Sequence, residues 1–496
     1  MNSSDGAGLG YASAPPMQPS AAQPDTLETP LAVELEGALV RTDTLHEGLV
    51  RLLKRNPLWL LLVPLWFLKG RAHLRAEVAR RAPLDASHLP YNEPLVAFLT
   101  EEKARGRRLV LVTAAHRDVA EAVAAHLGLF AEVHASDEAG ELHGPSKLAK
   151  LREALGTFDY AGREAADLPV WREARGGAVV HAAPGVVREV QGLGRPVRVF
   201  ERPPAGVRKL VKALRVHQWA KNVLVFVPLM AAHKGFQLHL LWHTLLGFVA
   251  FSLCASSVYV LNDLLDLDSD RRHPTKRKRP FAAGDLSVRT GALLAPVLLA
   301  AGAALAVWLL PLPFVALLAT YYAITLAYSL HLKQVMVLDV LVLAGLYTVR
   351  IFGGSLAVGV PTSSWLLTFS MFLFLSLALV KRLSEMRRLR LSNEAAAPGR
   401  GYLASDYELL ASLGVASGYM SVLVLALYIT SKEVTALYGS PERLWLLCPV
   451  MLYWVSRVWL LAHRGQVNED PLVFALRDKV SYAVGIVAAL VLFAAT

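Results

Sequence analysis

Two patterns of apolar residues divide the chain near residue 205. Between Leu31 and Phe200, short apolar runs typical of buried strands alternate with helical stretches, whereas after Trp219 the apolar runs are long enough to cross a bilayer. Alternating strands and helices predict a mostly parallel, doubly wound α/β sheet. The predicted strands cover residues 31–35, 108–114, 158–162, 178–183 and 197–200. We therefore expect a soluble α/β unit over residues 30–205 and an all-α membrane bundle over residues 206–496.

Apolar runs in the second part predict nine membrane-spanning helices, of which the first and last have the least certain ends. They cover residues 222–235, 241–261, 291–310, 312–330, 336–357, 363–382, 408–429, 443–462 and 477–495. An apolar stretch in the first part, residues 57–68, is too short to span a bilayer and contains Pro64. We expect an interfacial or capping helix there.

Charge and composition place the chain in a membrane. With 54% hydrophobic and 18% charged residues, it is too apolar for a soluble single-domain enzyme. A net charge of +11 suits nucleic acid, an anionic membrane or a phosphorylated substrate, and the many spans favour membrane lipids and no nucleic acid. Residues 1–29 have no basic start and no apolar core, so we expect a disordered cytoplasmic tail instead of a secretory signal.

The distribution of basic residues predicts the topology. The loops after the third and fifth spans contain no Lys or Arg. The positive-inside rule therefore places the loops after spans two, four, six and eight, together with the front unit, in the cytoplasm, as in a multi-pass protein of a bacterial inner membrane. The basic residues of the loops after spans two, four, six and eight are Arg271, Arg272, Lys276, Arg277, Lys278 and Arg279, then Lys333, then Lys381, Arg382, Arg387, Arg388 and Arg390, and finally Arg464, Arg477 and Lys479.

An acidic cluster follows the second span, in the segment LNDLLDLDSDRRHPTKRKRPFAAG. On a helix, Asp263, Asp266 and Asp270 share one face, where stacked carboxylates repel one another unless a cation lies between them. Oxygen ligands at this spacing suit Mg²⁺ that keeps several waters and is completed by substrate phosphates. The alternative is a solvated helix end beside a basic loop. We predict a metal site for a diphosphate.

This segment, as NDxxDxxxD, resembles the first Asp-rich motif of the UbiA superfamily of intramembrane prenyltransferases. The resemblance covers residues 211–496, and that family has nine spans. It implies that Asn262, Asp263, Asp266 and Asp270 bind Mg²⁺ and the diphosphate of a donor substrate. It also implies a transfer reaction with loss of diphosphate.

Further segments resemble the decaprenyl-phosphate phosphoribosyltransferase branch, among them LRVHQWAKNVLVFVPL from Leu214 and LALVKRLSEM from Leu377. The branch implies that a polyprenyl phosphate accepts ribose 5-phosphate from phosphoribosyl diphosphate. Aromatic prenyltransferases have a second Asp-rich motif, whereas the loop after the fourth span offers only Lys333 and Asp339. Asp339 alone is equally typical of a helix cap. We predict that Asp263, Asp266, Lys333 and Asp339 are the catalytic residues.

Cationic residues are the candidate phosphate ligands. A role in membrane topology or lipid binding is as good an explanation for any one loop cation. Polar residues inside spans are energetically costly, so those of the first and fifth spans are stronger candidates. The predicted substrate-binding residues beside Asn262 are Lys276, Arg277, Arg279, Lys381 and Arg382 in the loops and Lys221, Asn222 and Arg350 in the spans.

The front unit resembles the haloacid dehalogenase superfamily of phosphatases, through VELEGALVRTD at residues 33–43, Thr113, Lys147 and Asp167. Glu34 and Glu36 stand where that family has its nucleophilic and acid/base Asp, and Arg163 replaces a metal-side Asp. An extra methylene displaces the nucleophile, and a guanidinium competes with Mg²⁺ for the carboxylates. We expect a catalytically degenerate unit. The alternative is a domain that binds phosphate or has weak phosphatase activity and supplies the membrane half.

Two other functions are compatible with the membrane half. An aromatic prenyltransferase would use a polyprenyl diphosphate and a quinone precursor. A transporter would place charges near the bilayer midplane in repeated halves, but the Asp motif has no internal repeat, so this is the weakest alternative.

Overall fold

The computed structural model describes residues 29–138, 140–201, 206–392, 401–467, 471–475 and 477–496. The predicted tail lies outside these described residues, apart from Thr29. The chain forms two compact units that divide between residues 203 and 204.

The first unit contains one sheet of six parallel strands in the order β3-β2-β1-β4-β5-β6. The predicted doubly wound α/β fold is confirmed. The strands are β1 (Leu31–Glu34), β2 (Leu109–His116), β3 (Glu132–Ser136), β4 (Asp159–Gly162), β5 (Gly177–Val180) and β6 (Val197–Phe200). The apolar pattern did not reveal β3, because this edge strand has the sequence EVHAS and is only partly buried.

The first unit also contains eight α-helices in its described residues. Strand order changes direction at β1, whose neighbours are β2 and β4, so a crevice is expected outside the carboxyl ends of β1 and β4. The last residue of β1 is Glu34. The helices are α1 (Thr44–Arg55), α2 (Val63–Leu68), α3 (Arg71–Arg81), α4 (Glu93–Ala104), α5 (Arg117–Leu127), α6 (Pro145–Leu155), α7 (Leu168–Glu173) and α8 (Pro184–Gln191).

The second unit is helical throughout the part that the structure describes. Its long helices are α11 (Leu238–Leu265), α13 (Val288–Leu309), α14 (Leu312–Leu330), α15 (Leu338–Val358), α16 (Ser364–Ser392), α17 (Tyr407–Ile429), α19 (Leu447–His463) and α21 (Lys479–Ala495). Its short helices are α9 (Val207–Ala213), α10 (Val227–Ala231), α12 (Leu267–Arg272), α18 (Lys432–Leu437) and α20 (Pro471–Ala475), with further 3₁₀ turns at Val216–Phe226, Lys276–Lys278, Leu332–Gln334, Ala404–Asp406 and Pro441–Leu446.

The predicted count of nine spans is not confirmed. Among the described residues, seven helices are long and apolar enough to cross a membrane. Two of them, α17 and α19, are counted together with the 3₁₀ turns Ala404–Asp406 and Pro441–Leu446 that precede them. The predicted first span is a 3₁₀ segment, Val216–Phe226, followed by the short α10, where Pro228 lacks the N–H that a continuous helix needs. The predicted last span is α21, whose 17 residues are fewer than the roughly 20 that a straight span needs. The protein is nevertheless a multi-pass membrane protein.

Close helix packing in the second unit depends on small residues. Gly414 on α17 faces Trp459 of α19, whose indole N–H donates to Ser376 of α16 at 2.9 Å. A Cβ atom at position 414 would lie 2.1 Å from the indole ring. Gly345 on α15, in contrast, has no atom within 4 Å of where its Cβ would be.

We expect Gly414→Ala to lower the thermal unfolding temperature of the detergent-solubilised protein. The added methyl forces Trp459 out of its place, and overpacking of this kind costs about 1–3 kcal/mol. The matched control, Gly345→Ala, should leave the unfolding temperature unchanged or raise it, because a helical Ala is favoured over Gly by roughly 0.5–1 kcal/mol. Equal unfolding temperatures for the two variants would contradict this account of the packing.

Candidate active site

The acidic face predicted after the second span lies where α11 ends and α12 begins. Asp263 is in the last turn of α11, Asp266 directly follows it, and Asp270 lies in α12. The backbone N–H groups of Asp266 and Asp270 continue the helical hydrogen-bonding pattern across the junction. Asp263 and Asp270 are buried, and Asp266 is half-buried. The three carboxylates therefore follow one another from the C-terminal end of α11 into α12.

Two guanidinium groups neutralise the buried carboxylates. Arg279 donates from Nη1 to Oδ1 of Asp263 at 3.2 Å and to Oδ2 of Asp270 at 2.6 Å, and Arg215 pairs with the same oxygen of Asp263. Burial raises the pKa of the Asp270 carboxyl, while Arg279 acts in the opposite direction. The positive charge that we expected between these carboxylates is thus provided by two arginines of the protein itself.

Lys333 extends the site from the loop between α14 and α15. Its Nζ lies 4.0 Å from Oδ2 of Asp266. Val337 in the same loop has a φ of 65°, a strained value for a β-branched residue. The phenol of Tyr402 holds this loop, because it accepts from the N–H of Val337 at 2.9 Å and donates to Asp339 at 2.5 Å. The segment before α17 therefore fixes the position of the Lys333 loop.

Asp339 and Arg382 form a fully buried ion pair. Arg382 donates from Nε to Asp339 at 2.6 Å, from Nη1 to Glu385 at 2.6 Å and from Nη2 to Tyr328 at 3.1 Å. Both side chains of the pair are completely inaccessible to solvent. This ion pair joins the start of α15 to the last turns of α16. Its complete burial favours a positioning role for Asp339 and Arg382 over direct contact with a substrate.

A second polar group lies within the helical bundle. Arg350 on α15 donates from Nε to Oδ1 of Asn222 at 2.7 Å and from Nη2 to Tyr321 at 2.8 Å. Lys221 lies over the ring of Tyr347, with its Nζ 5.5 Å from the ring centroid. Lys221, Asn222 and Arg350, which the sequence singled out as polar residues inside apolar segments, are therefore neighbours. The two tyrosines that they contact were not singled out.

The other predicted residues lie around these groups. Lys276 and Arg277 are exposed in the 3₁₀ turn before Arg279, and Asn262 is half-buried beside Asp263. Lys381 lines a small cavity together with Tyr347 and Phe374. Sequence reasoning missed Arg215, Tyr402 and Glu385, although Arg215 lies six residues before Lys221 in a segment that carried the family resemblance.

The carboxylates suit a hard divalent cation only in part. In the described ranges, no three His, Cys, Asp or Glu side chains converge as a complete metal-ligand set. Asp263 and Asp270 nevertheless approach one cationic group from two sides and offer oxygen ligands only. This arrangement fits Mg²⁺, which takes a few carboxylates and fills its coordination with water and substrate phosphates.

The crevice of the first unit contains a different set of charges. Lys147 is bonded to Glu34 at the end of β1 and to Asp167 at 2.8 Å, and the hydroxyl of Tyr160 lies 3.3 Å from its Nζ. All four side chains are buried. Burial raises the pKa of Glu34 to about 7. Lys147, which would bind a phosphate in an active phosphatase, is therefore already paired with two carboxylates of the protein.

The second acidic position of this crevice is also engaged. Glu36 accepts from the backbone N–H of Thr44 at 2.8 Å, from its hydroxyl at 2.5 Å and from Arg75 at 3.0 Å. The side chain of Arg163 packs on Gly37, where a Cβ atom would lie 2.9 Å from its Nη1. The replacement noticed in the sequence thus places a guanidinium against Gly37, the residue that follows Glu36.

Comparison with known proteins covers both units. A model of the UbiA prenyltransferase family matches residues 223–480, and a model of haloacid dehalogenase-like hydrolases matches residues 35–170. The uncharacterized protein y4nM of Sinorhizobium fredii is 39% identical over 460 residues, which are 92% of this chain and 89% of that protein.

Two further matches cover the membrane half. Decaprenyl-phosphate phosphoribosyltransferase of Mycobacterium tuberculosis is 38% identical over 196 residues, which are 38% of this chain and 64% of that protein. The match therefore spans less than two thirds of that relative. A UbiA homolog from Archaeoglobus fulgidus, solved with DMAPP and Mg²⁺, is 18% identical with a TM-score of 0.44, covering 57% of this chain and 96% of that chain.

We expect the full chain to release no phosphate from para-nitrophenyl phosphate in the presence of Mg²⁺. Lys147 is held by Glu34 and Asp167, and Arg163 stands where the dehalogenase family has a metal-side Asp. The measurement is phosphate release by the purified protein and by Glu34→Ala under the same conditions. Rapid hydrolysis that disappears in Glu34→Ala would contradict this interpretation of the crevice.

Proposed function

This chain belongs to the UbiA prenyltransferase family, and we propose that it transfers 5-phosphoribose from phosphoribosyl diphosphate to a polyprenyl phosphate, with loss of diphosphate. The family resemblance noticed in the Asp-rich segment is confirmed, as is the haloacid dehalogenase-like front unit. The narrower reaction is supported by similarity to decaprenyl-phosphate phosphoribosyltransferase over part of the chain. It is also supported by the charges of the candidate site.

The balance of acids and cations carries this proposal. The acid of the α14–α15 loop, Asp339, is occupied by Arg382 and Tyr402, while Lys333 of that loop points toward Asp266. The acidic face of Asp263, Asp266 and Asp270 is thus approached by a lysine of the α14–α15 loop, where an aromatic prenyltransferase would have a second set of carboxylates. Phosphoribosyl diphosphate and a lipid phosphate bring two phosphates besides the leaving diphosphate. Such groups need charge-assisted hydrogen bonds from Lys and Arg.

In this proposal, Asp263, Asp266 and Asp270 hold Mg²⁺ together with the donor's diphosphate, and Asn262 lies beside them. Bound Mg²⁺ would neutralise the charge that develops on the leaving group. Arg215 and Arg279 keep the carboxylates ionised and close together when no substrate is present. Because Arg279 is 27% exposed, its side chain has room to turn from the carboxylates to a substrate phosphate.

The reaction requires no protein base. The bond between C1 of the ribose and the diphosphate oxygen breaks, and an oxygen of the lipid phosphate forms the new bond to C1. The lipid phosphate is already anionic, so no proton needs to be removed from it. The chain's contribution is therefore positioning and electrostatic stabilisation, with Lys333, Lys276 and Arg277 as the proposed ligands of the ribose 5-phosphate.

The remaining polar groups have supporting roles in this proposal. Lys221, Asn222 and Arg350 lie among apolar helices and would bind the headgroup of the polyprenyl phosphate, with Lys381 at the adjoining cavity. The buried pair of Asp339 and Arg382 would position the Lys333 loop. We further propose that residues 30–205 form a catalytically degenerate cytoplasmic domain and that residues 206–496 carry the reaction in the bacterial inner membrane.

We expect Asp263→Asn to abolish diphosphate release while the protein remains folded in detergent. The variant loses one carboxylate of the metal face but keeps the helix and the basic residues. The assay crosses two donors, phosphoribosyl diphosphate and a polyprenyl diphosphate, with two acceptors, a polyprenyl phosphate and 4-hydroxybenzoate, with Mg²⁺ or with chelator. Release is expected only for phosphoribosyl diphosphate with polyprenyl phosphate and Mg²⁺.

The matched control is Asp285→Asn, which makes the same change in the same loop but removes a partner of Lys209 instead of the acidic face. It should retain most of the activity. Prenylation of 4-hydroxybenzoate would contradict the proposed substrates and leave only the family assignment. Equal activity in Asp263→Asn and Asp285→Asn would contradict the metal site.

We expect Lys333→Ala to raise KM for phosphoribosyl diphosphate, or to lower turnover with it, by roughly ten- to a hundredfold. This is the loss of one charge-assisted contact, about 1.5–3 kcal/mol. Lys278→Ala, which removes an exposed lysine of the neighbouring loop, is the control and should change KM little. Similar kinetics for both variants would exclude Lys333 as a phosphate ligand.

A further inference from the structure

The first unit has one exposed apolar surface. Among the described residues of this unit, the large apolar side chains that are strongly exposed all lie between residues 58 and 68. Leu61 is 71% exposed and Leu68 is 81% exposed. We call this surface the apolar cap and define it by Leu58, Leu60, Leu61, Leu65, Phe67 and Leu68. A concentration of apolar side chains on one short segment is typical of an interaction surface.

The segment that carries the apolar cap is well anchored from beneath. A 3₁₀ turn, Pro57–Leu61, precedes α2, and each of the two begins with a proline at its first or second residue. Trp66 is buried against Leu52 and Leu74, and Trp59 stacks on it with ring centroids 6.2 Å apart. The guanidinium of Arg81 lies over both indole rings. The inward side chains thus hold the cap in place and leave its outer side chains in the open.

The charges that flank the apolar cap along the sequence have a single sign. No acidic residue occurs between Glu47 and Glu77, a stretch that contains six Lys or Arg. Lys54 and Arg55 precede the cap, and Lys69 and Arg71 follow it, all of them exposed. A second copy of this surface would bring like charges together. An anionic lipid surface would instead complement them, since each nearby cation contributes to binding acidic headgroups.

We propose that the apolar cap inserts into the headgroup region of an anionic bilayer and anchors the first unit to the membrane surface. Only residues 201–206 separate the last strand of this unit from the first helix of the membrane-spanning unit. The first unit is therefore covalently tethered to a membrane protein. A short apolar segment with tryptophans and flanking cations is the composition expected of an interfacial element.

The experiment uses the full chain in nanodiscs that contain phosphatidylglycerol. An environment-sensitive fluorophore is attached at Leu65→Cys, with Cys254→Ala and Cys448→Ala removing the native thiols. The control label is at Ala125→Cys, on the exposed face of α5. We expect spin-labelled lipids to quench the label at position 65, and aqueous iodide to quench the label at position 125.

The two quenchers distinguish the possible environments of position 65. A label that iodide quenches as strongly as the control would show a water-exposed surface and overturn the proposal. A label that neither quencher reaches would show that protein covers the cap, which would also overturn it. Because Leu65 is already exposed on the folded unit, its replacement should not prevent folding.

A second comparison tests the role of charge. The double variant Lys54→Gln, Lys69→Gln should lower the ratio of bilayer-bound to detached cap by roughly fivefold per cation, measured as loss of lipid quenching at position 65. Lys150→Gln, an exposed lysine of α6, is the control and should have no effect. Unchanged quenching in the double variant would overturn the proposed preference for anionic lipid.

Discussion

Charges at the ends of membrane helices must be neutralised, and the second unit is organised around this requirement. Asp263, Asp270 and Asp339 are buried where low-dielectric surroundings make an isolated carboxylate very unfavourable. Each of them is paired with an arginine: Asp270 with Arg279 of the same loop, Asp263 with Arg279 and also with the distant Arg215, and Asp339 with the distant Arg382. Removing one partner of a fully enclosed pair such as Asp339 and Arg382 typically costs about 3–5 kcal/mol, whereas Arg215 and Arg279 are partly exposed and remain solvated. The ion pairs therefore fix which loops meet at this end of the bundle.

The two units solve the same electrostatic problem differently. In the first unit, Lys147 is only 2% exposed and is fixed between Glu34 and Asp167, so no room remains for a phosphate. In the second unit, the shared cation Arg279 is 27% exposed, and further cations lie nearby. A partly exposed guanidinium can exchange a carboxylate for a substrate phosphate, whereas an enclosed ammonium cannot. This difference explains why we assign chemistry to the membrane half only.

Spacing alone predicted the acidic face and the α/β fold, because both depend on local periodicity. It did not predict all partners of the acids: Arg279 lies in the same segment as Asp270, but Arg215 is distant in sequence from its partner Asp263. For the same reason the sequence did not predict the buried pair that Arg382, a predicted phosphate ligand, forms with Asp339. The count of nine spans is not confirmed, because apolar length says nothing of the 3₁₀ geometry and Pro228 that interrupt the first segment.

The central claim is that the acidic face exchanges its arginine partners for a divalent cation bound with a diphosphate. The most direct test is Mn²⁺ binding to the full chain, followed by electron paramagnetic resonance, with and without phosphoribosyl diphosphate. Mn²⁺ suits the same oxygen ligands as Mg²⁺. We predict binding that tightens with phosphoribosyl diphosphate and is lost in Asp263→Asn. Mn²⁺ binding that is the same in Asp263→Asn, or that ignores phosphoribosyl diphosphate, would contradict the account.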